Sequence, residues 1–198
     1  MLALYRRRLS HWVATFGGGK QARRRSFSLL LETRELPGDE WRMLGERSWR
    51  TGVGFRTEAA RRARQARTIT VVRYFKCPAR SRWLWVEVIP YANTGDAQTA
   101  VSHFESMLSP NPYSVAKATI EHRVEGVDIP EISEPWLYEQ AGSRKKLKAS
   151  SLLIGGNIEQ IAFVVCASGP DRAWAWEDVV PIATAQSLKL KRALPNNV

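Results

Sequence analysis

Arginine and tryptophan are the residue types in this chain whose spacing suggests binding chemistry. Guanidinium groups pair with phosphate and carboxylate oxygens, and the segment 56–82 holds a candidate anion-binding patch of Arg61, Arg62, Arg64, Arg67, Arg80 and Arg82. Aromatic rings stack on flat ligands or line apolar pockets, and two pairs at a spacing of two give candidate pocket-lining side chains: Trp83, Trp85, Trp174 and Trp176. The alternatives are solvated surface arginines and tryptophans that form the core where a helix meets a sheet.

Motifs for catalysis or metal binding are missing from the sequence. The three histidines lie far apart and have no HExxH or CxxC neighbours. Gly19-Lys20 lacks the spacing of a phosphate-binding loop. His122, between Glu121 and Arg123, is the one candidate acid–base group of a cleft. We therefore predict no catalytic residue, no cofactor and no metal, with an enzyme built around His122 as the third hypothesis.

Charge is distributed unevenly along the 198 residues, whose formal net charge is +11. Residues 1–90 hold 20 Lys and Arg against 7 Asp and Glu, whereas residues 91–198 hold 10 against 12. Such asymmetry indicates either an anionic partner for the first half or a contribution to solubility alone. Nucleic acid or an anionic membrane, bound through residues 1–25 and 56–82, is therefore one predicted partner class.

The first 16 residues contain no acidic side chain and repeat apolar residues at helical spacing, beside Arg6, Arg7 and Arg8. Three interpretations stay open: a helix on an anionic membrane, a targeting presequence, and a start-site extension without a folded role. No stretch is long and apolar enough to span a membrane. The sequence predicts a cytoplasmic protein, membrane-peripheral through residues 1–16 if that helix binds lipid.

The elements that must position the candidate residues are organised around the stretch 68–91. Two runs of β-branched and aromatic residues flank a basic turn at 76–82, which is typical of a β-hairpin. Because both faces of each run are mostly apolar, we expect this hairpin to be covered on both sides. The other predicted elements are strands at 27–32, 41–49, 119–127 and 135–139, a loop or marginal helix at 58–67, a helix at 94–108, a hairpin 145–166 turning at Gly155-Gly156-Asn157, and a terminal helix at 177–194.

Together these elements predict an α+β fold, an α/β/α sandwich in which a mainly antiparallel sheet of six or seven strands carries helices on its faces. The predicted organisation is a basic, flexible or amphipathic extension (1–26), a single domain (27–194) and a short tail (195–198). Two cysteines give no disulfide framework. Cys166 is predicted to be buried, and Cys77 to lie in the turn beside cationic side chains.

The order of elements resembles the PsbP-like α/β/α sandwich, which small actinobacterial sensor and lipoprotein domains also use. The resemblance rests on the strand 83–91 with the helix 94–108, and on Gly155-Gly156-Asn157 ahead of the helix 177–194; it covers roughly residues 27–194. The chain lacks the lipobox cysteine and exporting segment of the lipoprotein members. The resemblance implies a mostly non-enzymatic domain that binds a partner or an apolar ligand, and it transfers no functional residue.

The leading functional prediction is a non-catalytic binding or accessory domain that recognises a protein partner or an apolar small ligand. It depends on the missing catalytic motifs, the covered sheet and the basic first half of the chain. The basic module for nucleic acid or anionic membrane is the alternative.

Overall fold

The computed structural model describes residues 20–38, 40–52, 56–102, 118–123, 129, 132, 135–144 and 147–194. The α-helices of this part are α1 (Lys20–Ser28), α2 (Glu58–Gln65), α3 (Thr94–Ser102) and α4 (Trp176–Ala193). Its strands are β1 (Arg42–Arg50), β2 (Ile69–Cys77), β3 (Arg82–Pro90), β4 (Ala118–Arg123), β5 (Trp136–Arg144), β6 (Leu147–Ile158) and β7 (Ile161–Pro170).

One sheet contains all seven of these strands, in the order β1-β2-β3-β7-β6-β5-β4, and every neighbouring pair is antiparallel. The predicted α+β fold class is confirmed. The predicted central hairpin is also confirmed, because β2 and β3 pair from Val71 opposite Val88 to Cys77 opposite Arg82. Ser81 takes a left-handed conformation (φ 49°) at the end of the short 3-10 turn Pro78–Arg80 that joins them.

Both faces of the central strands β2, β3 and β7 are buried, as their apolar residues require, whereas the edge strand β1 is mostly exposed. On the first face, Val179, Ile182 and Leu190 of α4 pack against the sheet together with the segment Leu29–Leu31. On the second face, the alanines of α2 and α3 pack against Trp85 and its neighbours. Successive residues of a strand point to opposite faces, so the β2–β3 hairpin contributes to both cores.

The predicted strand at 27–32 is wrong. Its first residues belong to α1, and the backbone that follows is held by side chains instead of a neighbouring strand. Arg73 of β2 donates to the carbonyl oxygens of Phe27, Leu30 and Leu31. Gln186 of α4 donates to the Leu29 carbonyl (2.8 Å) and accepts from the Leu31 N–H (3.1 Å). These bonds satisfy backbone groups that a strand would pair with another strand.

The predicted turn at Gly155-Gly156-Asn157 is also wrong. Strand β6 continues through these residues to Ile158, and the chain reverses at Glu159, whose φ is 49°. Gly156 pairs with Phe163, and a Cβ at Gly156 would lie 2.8 Å from Cγ2 of Ile132. A glycine is therefore required here because a side chain packs closely over the strand.

The segment 58–67 contains a packed helix, where the sequence predicted a solvated loop or a marginal helical turn. Thr57 caps it, since its Oγ1 accepts from the Ala60 N–H at 3.2 Å. Ala59, Ala60 and Ala63 are buried. A Cβ at Gly52 would lie 2.5 Å from the Ala60 carbonyl oxygen. Small residues on both sides allow α2 to approach the protein closely, so the helix needs no large apolar side chain.

The remaining predicted elements are found with shifted ends. Strands β1, β4 and β5 and helix α4 lie where strands 41–49, 119–127 and 135–139 and the terminal helix were expected. Helix α3 covers the first part of the predicted helix 94–108, whose last six residues lie outside the described part. The division into an extension, a domain and a tail stays a prediction, because residues 1–19 and 195–198 also lie outside it; α1 begins at Lys20, inside the predicted extension.

Candidate functional site

A cleft of about 400 Å³ opens at the end of the sheet where β2 finishes and β3 begins. Three segments that are distant in sequence form its walls: the loop before β1, the β2–β3 connection, and the start of α4. The lining side chains and backbone belong to Pro37, Gly38, Glu40, Trp41, Cys77, Arg80, Arg82, Trp174 and Asp178. The cleft therefore exists only in the folded chain.

Two stacked tryptophans form the aromatic wall of this cleft. The ring centroids of Trp41 and Trp174 are 5.7 Å apart and the ring planes differ by 23°. Both indole N–H groups are already used, since Trp41 donates to the Pro37 carbonyl at 2.9 Å and Trp174 donates to the Ser168 carbonyl at 3.0 Å. The wall thus has no unsatisfied indole donor, and because Trp174 is only 7% exposed, most of its accessible aromatic surface belongs to the half-buried Trp41.

The turn after β7 holds Trp174 in place. Ala173 donates to the Pro170 carbonyl at 2.9 Å, and Arg172 takes a left-handed conformation (φ 60°). A Cβ at Gly169 would lie 2.8 Å from the Cβ of Ala173. Glycine at this position lets the turn fold tightly onto β7, and the tight turn directs Trp174 into the cleft wall.

Arg82 connects the aromatic wall to helix α4. Its guanidinium lies 4.5 Å from the ring centroid of Trp174, within the range of a cation–π contact. Its Nη2 lies 3.0 Å from Oδ2 of Asp178. The same carboxylate oxygen accepts from the Ala175 N–H at 3.3 Å and so caps α4. One carboxylate therefore fixes both the start of α4 and the start of β3.

Two further polar contacts complete the lining. The thiol of Cys77 lies 3.3 Å from Oε2 of Glu40 and donates to it. Arg80 is exposed on the 3-10 turn between β2 and β3. Within the part of the chain that the structure describes, the lining includes no histidine and no lysine. Cys77 and Cys166 are both free and buried, and burial raises the pKa of the Cys166 thiol to about 12.

The four predicted pocket tryptophans do not come together. Trp174 lines the cleft, but Trp85 is buried in the core of the second face. Trp83 is half-buried, with the Lys76 ammonium 5.5 Å from its ring centroid. Trp176 packs against the first core at the start of α4. The spacing of two places residues on one face only within a strand, and Trp176 begins a helix.

The six arginines of the predicted patch separate into two groups. Arg61 and Arg62 pair with Glu58, Arg62 also pairs with Asp96, and Arg64 donates to the Gly52 carbonyl. Arg67 is exposed with a φ of 56°. Arg80 and Arg82 lie at the other end of β2, whose nine residues span about 30 Å. The structure therefore does not place the six in one cluster, and anion binding by this set stays a prediction.

The His122 hypothesis is not tested, because its side chain lies outside the described part although its backbone belongs to β4. Within the described residues, no group of three or more His, Cys, Asp or Glu is placed to hold a metal ion. The same part of the chain has no helix both long and apolar enough to cross a membrane. The predicted location and the predicted anionic partners stay predictions.

A second unusual polar residue lies away from the cleft. Glu87 of β3 is buried on the second face, where its direct neighbours across the sheet are Val72 and Val164. Burial raises the pKa of the Glu87 carboxyl to about 8. Burial, and then the nearby Glu87 and Asp96 carboxylates, raise the pKa of Tyr91. Glu87 is thus held largely in its neutral form at pH 7.

Comparison with known proteins identifies a shared fold. No protein-family model and no curated protein match the chain. The crystal structure of the extracellular domain of PknH from Mycobacterium tuberculosis is similar over 83% of this chain and 94% of that chain, with a TM-score of 0.52 and 11% identity. A crystal structure from Bacteroides thetaiotaomicron VPI-5482 is similar over 73% of this chain and 40% of that chain, with a TM-score of 0.42 and 9% identity. The likeness to the PknH domain at this low identity shows the fold alone.

Proposed function

We propose that this protein is a non-catalytic binding domain whose cleft takes a flat apolar small ligand, or an aromatic side chain presented by a protein partner. The stacked pair Trp41 and Trp174, with both N–H groups bonded internally, is the observation that carries the proposal. The proposal keeps the PsbP-like proteins as the wider group to which the chain is similar.

Size and chemistry of the cleft support small-ligand binding. A volume of about 400 Å³ falls in the range of small-molecule sites. Aromatic walls favour flat ligands because offset stacking adds about 0.5–1.5 kcal/mol to the burial of apolar area. A few polar groups around an apolar wall are the usual composition of such a site. Among the described residues, the lining has no histidine, the commonest acid–base residue of enzymes, although it holds the carboxyl groups of Glu40 and Asp178.

Calorimetric titration with 2-naphthamide, a neutral flat probe, tests the proposal. Wild-type protein is expected to bind the probe, and Trp41→Leu is expected to weaken binding about tenfold because the stacking surface is lost. Trp49→Leu is the matched control, since Trp49 is another half-buried tryptophan of the same region but packs against the second core, away from the cleft. Absence of binding, or equal affinity of wild type and Trp41→Leu, would overturn the proposal.

A further inference from the structure

We infer that the ligand of this cleft carries a carboxylate, which Arg82 receives while the flat body of the ligand lies on the tryptophan wall. The inference rests on the proposed function and adds the chemical class of the ligand, a flat aromatic acid.

Arg82 retains donors that nothing in the described part of the chain uses. A guanidinium has five N–H groups in a fixed fork. The side chain of Arg82 is only 18% exposed, yet its one hydrogen bond runs from Nη2 to Asp178. Among the described residues, its Nε and Nη1 have no hydrogen-bond partner, and the side chain lines the cleft. Unpaired donors on a side chain that lines a cleft are available to an acceptor supplied by a ligand.

Arg73 is a buried arginine with a structural role, and it shows how this protein supplies hydrogen-bond acceptors to such a guanidinium. Its side chain is 10% exposed, and all three nitrogens have acceptors: Nε bonds Glu46 at 2.7 Å, Nη1 bonds the Leu31 carbonyl at 2.6 Å, and Nη2 bonds the Phe27 carbonyl at 3.3 Å. Burial of an arginine in this fold is thus compatible with complete pairing. Arg82, by contrast, has an acceptor for only one of its three nitrogens among the described residues.

The charges of the cleft balance in number, and its open guanidinium donors are those that an anion would use. Two arginines and two carboxylates line it. Both carboxylates already accept from the lining, Asp178 from Arg82 and Glu40 from Cys77. Arg80 has no ion pair within the described residues and stands as a second donor. Each carboxylate still has one oxygen that no bond among the described residues uses, so the preference for an anion rests on the open donors of Arg82 and Arg80.

The position of Arg82 beside the tryptophan wall favours an acid group attached directly to a flat ring. Arg82 lies against Trp174, so the cation is directly beside the aromatic wall. A ring stacked on this wall brings a carboxylate in its own plane to the guanidinium fork, where two parallel N–H···O bonds form. The position of a carboxylate on a long flexible chain would not be fixed by the stacked ring.

The experiment compares 2-naphthoate with 2-naphthamide, which have the same ring and nearly the same shape but differ in charge. Wild-type protein is expected to bind the acid about tenfold more tightly than the amide at low salt, as for one charge-assisted hydrogen-bonded pair. Arg82→Gln is expected to bring the ratio of the two affinities close to one, while its affinity for 2-naphthamide shows that the cleft is intact. Arg80→Gln is expected to lower the ratio partially.

Arg47→Gln is the control. Arg47 is exposed on β1, so this substitution removes the same net charge at a site outside the cleft. It should leave the ratio unchanged. Equal affinities for acid and amide in the wild-type protein, or a ratio that Arg82→Gln does not lower, would overturn the inference while the proposed function stands. If neither probe binds, the proposed function fails and the inference fails with it.

Discussion

Arg73 of β2 and Glu46 of β1 are direct cross-strand partners, and their ion pair joins the edge strand to the segment after α1. The guanidinium bonds Glu46 on one side and the carbonyls of Phe27, Leu30 and Leu31 on the other. These bonds explain why an apolar segment that resembles a strand in sequence forms no strand. Its backbone acceptors are satisfied by side chains, three of them by Arg73 and the Leu29 carbonyl by Gln186.

Replacing Arg73 should therefore destabilise the fold strongly. Arg73→Met leaves Glu46 and three backbone carbonyls without their donor, and we expect a loss of about 3–5 kcal/mol in the free energy of unfolding. Urea denaturation followed by circular dichroism measures the loss. Arg47→Met, on the exposed part of the same edge strand, should change stability by no more than about 0.5 kcal/mol. Equal effects of the two substitutions would show that the Arg73 bonds do not stabilise this segment.

A side chain at position 156 should destabilise the protein, because Ile132 packs closely over Gly156. Gly156→Ala places a Cβ 2.8 Å from Cγ2 of Ile132 and 3.2 Å from the ring of Phe163. We expect a destabilisation of about 1–3 kcal/mol from overpacking, measured by the shift in the denaturation midpoint. Gly45→Ala is the matched control in β1, because no heavy atom lies within 4 Å of a Cβ there. A Gly156→Ala protein as stable as the Gly45→Ala protein would contradict the packing explanation.

Two of the errors made from sequence, the turn at Gly155-Gly156-Asn157 and the loop at 58–67, concern glycine and alanine, and they have one physical cause. Glycine pairs predict turns because glycine tolerates positive φ, but Gly156 is needed for an approach that becomes visible only when Ile132 is placed over it. The alanines of α2 show no wide apolar face, yet three of them are buried because the surroundings of Gly52 allow close approach. Local sequence patterns predict backbone conformation and apolar area. They do not predict the distance between two segments that pack against each other.

The central hairpin was predictable, whereas the cleft was not. The runs of β-branched and aromatic residues around a basic turn are a local signal, and the structure follows it with pairing from Val71 to Cys77. The cleft joins the loop 37–41, the β2–β3 connection and the start of α4, and its lining extends from Pro37 to Asp178, 141 positions apart in sequence. Trp174 and Arg82 were singled out in sequence, but for different sites. Trp41 was taken only as a strand marker, and no sequence signal links it to Trp174.

Asp178 should restrain Arg82 in the absence of a ligand. Asp178→Asn removes the charge from the partner of Arg82 and weakens the cap on Ala175. Because Asp178 is 40% exposed, we expect a stability loss of only about 0.5–1 kcal/mol.

The same change should raise the affinity for 2-naphthoate and leave that for 2-naphthamide unaltered, since Arg82 is freed for the acid. Glu177→Gln, one residue earlier and exposed, is the control, and calorimetric titration is the measurement. A lower affinity for the acid would show that Asp178 orients Arg82 more than it competes for it.

Glu87 makes stability depend on pH in a defined direction. The pKa of its carboxyl is about 8 in the folded protein and 4.5 without burial. Between these values the folded state keeps a proton that the unfolded state has lost, so the stability present below pH 4.5 decreases as the pH rises and levels off above pH 8. Each unit of pKa difference corresponds to about 1.4 kcal/mol, which makes the decrease several kcal/mol in total. Glu87→Gln keeps a neutral side chain of similar shape and removes the titration.

Denaturation of wild type and Glu87→Gln at a series of pH values from 4 to about 9 measures this effect as the difference between the two free energies of unfolding. Taking the difference cancels the titration of the other carboxyls. The variant should gain stability relative to wild type as the pH rises, whereas Glu177→Gln, exposed in the first turn of α4, should show no such trend. A pH-independent difference between wild type and Glu87→Gln would mean that the carboxyl ionises in the folded state without cost, and that the second face of the sheet is more accessible to water than its apolar neighbours indicate.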